Sequence, residues 1–140
     1  MIYETVEKNS KEIVFVYTTC PSISEAREIG LSAIKEKLAA SADYWLINSI
    51  YPWNKVIQEG EQYMLMFATE KSLSSTLMKH IEMGHSYSIP VIMRSETLVT
   101  NQPYHFWVDN ILTDKEGYIT ETEEEIKKRS EKGANYERLK

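Results

Sequence analysis

One cysteine and three histidines hold most of the chemistry open to this chain. Cys20 stands between a β-branched run and the serine that opens a helix. A helix N-terminus stabilises a thiolate, so Cys20 is a candidate nucleophile. No histidine or acid lies beside it in sequence to activate it. His85 also follows the end of an element and could approach it in space. The plainer reading of Cys20 is a small, half-buried residue at a strand end. His80, His85 and His105 form no HxH, HxxxH or CxxC pair, so there is no local chelate. His80 falls beside Ile81 on an expected helix, at its surface, and His105 lies between Tyr104 and Phe106. His85 differs, because it follows Gly84 and precedes Tyr87 by two residues. An imidazole there suits a borderline metal such as copper or zinc. With no second ligand to name, the plainer reading is a hydrogen bond to helix-terminal carbonyls. The five glycines are scattered and make no phosphate loop. The acidic run Glu121 to Glu125 reads as a solvated helix start.

Two aromatic-rich words flank these candidates: Ser49-Ile50-Tyr51-Pro52-Trp53, and His85-Ser86-Tyr87-Ser88-Ile89-Pro90. Tyr51, Trp53, Tyr87, Tyr104 and Trp107 are core or interface aromatics on the simplest reading, since Tyr and Trp combine large area with a polar handle. Nine tyrosines, three tryptophans and three phenylalanines in 140 residues suit an oligomer, in which a neighbouring subunit covers the edges of a small sheet.

The elements that must position these residues follow from pattern. Ile13 to Thr18 is a continuous apolar run, expected as a strand covered on both faces. Pro21 stops it, and Ser22 with Glu25 has capping-box spacing. Ala26, Ile29, Ala33, Ile34 and Leu38 then form one helical stripe, with Glu25, Glu28, Lys35 and Lys37 mostly on the wet side. Ala42 to Ile50 reads as a second strand, with a break near Pro52 and Asn54 and a short strand over Trp53 to Gln58. Gly60 marks a turn before the strand Gln62 to Thr69, on which Tyr63, Leu65 and Phe67 share a face. Ser72 or Ser74 caps a second helix, with Leu73, Leu77 and Ile81 inward and Gly84 as its stop. Pro90 to Val99 is a further strand. Asn101 and Pro103 open a third helix carrying Tyr104, Trp107, Val108 and Ile111. This order, β-α-β-β-α-β with a closing helix, predicts an α+β, ferredoxin-like split βαβ sandwich: an antiparallel sheet with two helices on one face. Residues 1–113 form that domain. Residues 114–140 form a charged arm, partly helical or frayed, with Glu121 to Lys132 as the helical candidate.

Composition narrows the class. A net charge of −5 argues against nucleic acid as the main partner. No run nears the ~20 apolar residues of a membrane span. Met1 to Lys11 lacks an apolar signal region, and a single cysteine excludes an intramolecular disulfide. A soluble, cytoplasmic protein is expected.

Taken together, the words resemble the CutA family of divalent-cation-tolerance proteins over Ile13 to Leu112. The resemblance is carried in order by Thr18-Thr19-Cys20-Pro21-Ser22, Glu25-Ala26-Arg27-Glu28-Ile29, Lys37-Leu38-Ala39-Ala40, Ser49-Ile50-Tyr51 with Trp53, Glu61, His85 with Tyr87 and Pro90, and Asn101 with Tyr104 and Trp107. It implies a homotrimer of ferredoxin-like protomers, tolerance of divalent metals, copper as a bound ion, and no reaction catalysed. His85 and Cys20 become the expected metal residues. Tyr51, Trp53, Glu61, Tyr87, Tyr104 and Trp107 become the expected cleft and interface residues. The chain departs from the family pattern at Ser41-Ala42-Asp43, where a thiolate ligand is absent. It departs again at Ser86 and Ser88, where a carboxylate beside His85 is missing. A trimeric binding or scaffold module, taking a small molecule or a protein segment in an intersubunit cleft, is the alternative.

Overall fold

A computed structural model describes residues 11–99 and 101–131. The expectations for the first ten residues and for the end of the arm lie outside them. Four strands, β1 (Ile13–Cys20), β2 (Ser41–Trp53), β3 (Val56–Glu70) and β4 (Ile92–Glu96), form one sheet in the order β2-β3-β1-β4. All three pairings are antiparallel. Two helices, α1 (Ile23–Lys35) and α2 (Lys71–Gly84), connect β1 to β2 and β3 to β4, and α3 (Gln102–Thr113) and α4 (Glu123–Glu131) follow. This is the split βαβ arrangement that the alternating periods predict.

The core lies between the sheet and the first two helices. Val16 and Cys20 of β1 and Leu65 and Phe67 of β3 point to one side, where they meet Ala26, Ile29 and Ala33 of α1 and Leu77 and Ile81 of α2. The opposite face of β1, with Phe15, Tyr17 and Thr19, is only half-buried within the chain. The expectation that both faces of β1 are covered is therefore corrected for the single chain. Gly30 lets α1 sit low on the sheet, since a Cβ there would stand 3.4 Å from that of Ala42.

Helix and turn boundaries shift from the sequence reading for local reasons. α1 stops at Lys35 because Lys37 adopts a left-handed φ of 59°. Leu38 N–H then donates to Ala33 O and Lys37 N–H to Ile34 O, a Schellman closure without glycine. The β2–β3 turn is at Asn54 and Lys55, both at positive φ, and not at Gly60. Gly60 is an ordinary strand residue opposite Ser49, so the expected separate third strand merges into one long hairpin. α2 begins at Lys71 with Glu70 as its N-cap, ahead of both candidate serines, and no side chain caps it. Ser74 Oγ instead donates back to Lys71 O at 2.7 Å. β4 is confined to five residues, beginning two residues after Pro90.

At the far end of the sheet, α3 packs Val108 against Ile13 and Ala40, flanked by Tyr104, Trp107 and Ile111. The arm turns back from there. The Tyr118 ring lies over the Lys37 ammonium at 3.7 Å, and its hydroxyl donates to Ile111 O at 3.3 Å. Thr122 and Glu125 cap α4 reciprocally, at 3.2 and 3.1 Å.

Candidate metal centre

The first site residue is placed by the end of a strand. Cys20 is the last residue of β1 and points into the core, fully buried. Pro21 ends the ladder and Ser22 opens α1 at once, its hydroxyl accepting from Glu25 N–H at 3.2 Å. Only half of the expected capping box forms. The Glu25 carboxylate turns away from the helix end towards the start of the loop after α2, where Ser86 N–H donates to it at 3.4 Å and His85 Nδ1 lies 3.5 Å away.

His85 sits at the C-cap of α2 with its side chain wholly buried. Its Nε2 lies 2.7 Å from Thr19 O. A carbonyl oxygen only accepts, so Nε2 holds the proton and donates. Nδ1 accepts from Tyr87 N–H at 3.1 Å and is turned towards Glu25. The bond to a strand-end carbonyl replaces the helix-end carbonyl expected of His85.

One ligand atom each from Cys20, Glu25 and His85 lies within 4.8 Å of the others. Thiol, carboxylate and imidazole together match a borderline divalent ion. Metal–ligand bonds of about 2.0–2.3 Å call for a somewhat tighter cluster, reached by small side-chain movements. The backbone bond at Nε2 fixes the ring as metal-ligating histidines are commonly fixed. The residues present therefore fit a divalent metal.

Burial pushes the Cys20 thiol up to about 11, and the neighbouring charge of Glu25 adds to the rise. The expected thiolate stabilisation by the α1 N-terminus is overruled by desolvation. A thiol held there is a poor nucleophile near neutral pH, which weighs against Cys20 catalysis.

Beside the cluster a hollow of about 550 Å³ opens on the other side of the sheet end, walled by Tyr51, Trp53, Gln62 and Tyr87. Tyr87 joins the two: its ring lies 5.0 Å from that of His85, and its hydroxyl donates to Gln62 Oε1 at 3.1 Å. Of the remaining expected cleft residues, Glu61 is exposed opposite Asn48 and does not line the hollow. Tyr104 and Trp107 stack on each other at 5.9 Å in the α3 corner, away from it.

Residues 14–111 match the model of the CutA1 divalent ion tolerance protein family. The chain belongs to this family. The match spans most of the sheet and all three packed helices. Among CutA relatives, the divalent-cation tolerance protein CutA of Thermococcus kodakarensis is 30% identical over 101 residues, covering 72% of this chain and 97% of that protein. The chloroplastic protein CutA of Arabidopsis thaliana is 28% identical over 108 residues, covering 75% of this chain but 59% of its own length. The match likewise spans 54% of the mouse protein CutA. Solved CutA structures superpose well. CutA1 from Ehrlichia chaffeensis gives a TM-score of 0.71 at 25% identity, covering 74% of this chain and 97% of that one. CutA1 from Oryza sativa gives 0.70 at 28% identity, covering 76% and 98%. The CutA name denotes tolerance of divalent ions and not a reaction. Among the described residues, no helix is long and apolar enough to cross a membrane.

Sequence reasoning missed Glu25 as a site residue. Its spacing from Ser22 reads as a cap, and its helix position reads as wet. Only the approach of the loop after α2 gives it a second role.

Proposed function

We propose that this CutA1-family chain binds a divalent cation, copper by preference, through Cys20, Glu25 and His85, and acts in divalent-ion tolerance without catalysis of its own. The convergence of a thiol, a carboxylate and an imidazole from β1, α1 and the loop after α2 carries this reading. Glu25 supplies the carboxylate that the sequence lacks at Ser88. The metal would displace the Cys20 proton and take the Nδ1 lone pair of His85 in place of the Tyr87 N–H. Thiol and imidazole donors favour copper or zinc over magnesium or calcium. A cytoplasmic, reducing setting suits a ligand thiol that has no disulfide partner within the chain. Calorimetric titration with Cu²⁺ tests the reading. Wild type is expected to bind one ion per chain, with affinity reduced at least about tenfold in His85→Ala and in Glu25→Gln. Equal heats in all three proteins would sink it.

We further propose that the working unit is a homotrimer. The half-buried face of the sheet and the protruding hairpin support this, with Tyr44, Trp45, Leu46, Ile50 and Ile57 all exposed in the single chain. A second reading, a trimeric module that takes a small molecule or a protein segment, is favoured by the aromatic-walled hollow beside Tyr87. A thermal shift with metabolites but not with Cu²⁺ would select it.

A further inference from the structure

Two carboxyl groups, one buried and one partly buried, are brought to the corner where α3 joins the body, remote from the metal residues: Glu70 pairs with Ile13, on which Val108 of α3 packs, and Asp109 follows Val108. Glu70, the last residue of β3 and the N-cap of α2, is 5% exposed. Its Oε2 is buried and has no hydrogen-bond partner. Asp109 of α3 presents a buried Oδ1 that is equally without a hydrogen bond. Lys11 Nζ approaches that oxygen only as an ion pair at 3.5 Å, from a side chain that is 65% exposed. Buried acceptors without donors are costly, and two in contact are costlier, because two carboxylates repel in a poorly solvated place. A single proton between them resolves both, turning one group into the donor the other lacks.

We propose that Glu70 and Asp109 share one proton and thereby form a pH-sensitive clamp that fastens α3 to the β3–α2 corner. Burial chiefly, then the charge of Asp109 and the hydrogen bond that a proton between the two makes with it, push the Glu70 carboxyl up to about 7, against a smaller opposing pull from Lys11. The other charges at this corner are engaged elsewhere. Lys71 pairs with Glu12 at 3.9 Å and with Glu96 at 3.6 Å, and Arg94 pairs with Glu96 at 3.3 Å. His105 stands one turn before Asp109 on α3.

The proton is bound more tightly in the folded chain than in the unfolded one. The clamp is therefore complete below the ordinary glutamate range near 4.5 and is lost as pH rises through about 7. Its release loosens the element that holds the arm, since Tyr118 hydrogen-bonds to Ile111 near the end of α3. The clamp thus couples pH to the seating of Tyr118, and of the arm that carries it, over Lys37 just past α1.

Hydrogen exchange of α3 backbone amides, corrected for the intrinsic pH dependence of exchange, tests this on the full chain. Protection in wild type is expected to fall at least about tenfold between about pH 6 and about pH 8.5. Glu70→Gln keeps a donor for Asp109 at every pH, so its protection is expected to stay flat. An unchanged slope in Glu70→Gln would assign the effect to His105 or another group and overturn the proposal, as would a flat wild type. A second readout requires no variant to fold. Carboxyl ¹³C shifts of the wild-type glutamates should include one that titrates near 7, and their all titrating below about 5.5 would overturn the clamp.

Discussion

At Cys20, burial and a neighbouring charge push in the same direction. The thiol has a full core around it, a carboxylate beside it and an imidazole within ligand reach. Burial raises it from 9.0 to about 11, so at neutral pH the folded chain holds roughly a hundredfold less thiolate than the unfolded one. A thiol-disulfide reagent at about pH 7.5 should therefore label native Cys20 at least about a hundredfold more slowly than the denatured chain. Glu25→Gln should speed native labelling modestly, because the charge of Glu25 is the second cause of the shift. Fast native labelling would remove the argument against Cys20 catalysis. The same raised value costs stability in alkali: the folded chain keeps its proton longer, so stability falls as pH climbs from about 9 to about 11. Cys20 and His85 were legible in sequence because their types are scarce and both follow an element end. Glu25 was not, because glutamate at the first turn of a helix has an ordinary structural explanation. The scarce residue types could be found from the chain, but the common one needed the geometry that brings Ser86 N–H and His85 Nδ1 to its carboxylate.

The same division holds for the elements. β1, α1 and α2 were readable because their apolar residues repeat at strand or helix period and face one core. The β2–β3 hairpin was misread at its turn. Asn54 is a common first residue of a turn with both central residues at positive φ, but the second place usually holds glycine, and here it holds Lys55 at φ 66°. Gly60 drew the turn to itself for the same reason. A lysine held in the left-handed region is strained, and replacing it with glycine removes the Cβ clash. Lys55→Gly is expected to stabilise the chain by about 0.5–1 kcal/mol in urea unfolding, less the entropy glycine adds to the unfolded state. Destabilisation by a similar amount would mean that the Lys55 side chain makes a contact worth more than its strain. α3 begins at the expected Asn101, whereas the cap of α2 was misplaced, because a serine near a helix start is a signal only if its side chain reaches the first turn. Neither Glu70, where α2 begins, nor Asn101 makes such a bond.

For the whole molecule, the hairpin is the feature that a single chain explains least. β1 pairs with β3 only over Tyr63 to Glu70, so Val56 to Gln62 pair with β2 alone and project as a two-stranded ribbon. Such a ribbon is marginal in water by itself. Tyr51, Trp53 and Val56 lie on one of its faces, Ile50 and Ile57 on the other, and all five are exposed. Apolar side chains on both faces of an isolated ribbon make sense when other chains cover both, which is why the trimer is proposed from this end of the sheet. Light scattering at micromolar concentration is expected to give three times the 16.3 kDa chain mass. Ile57 is 78% exposed, so Ile57→Glu leaves the protomer core intact and acts only where another chain packs on the ribbon. That variant should shift the mass towards a single chain while keeping the circular dichroism of the fold. A wild type that runs as a stable single chain would overturn the trimer, and a trimer unmoved by Ile57→Glu would place the contact on the half-buried sheet face around Trp45 and Met66 instead.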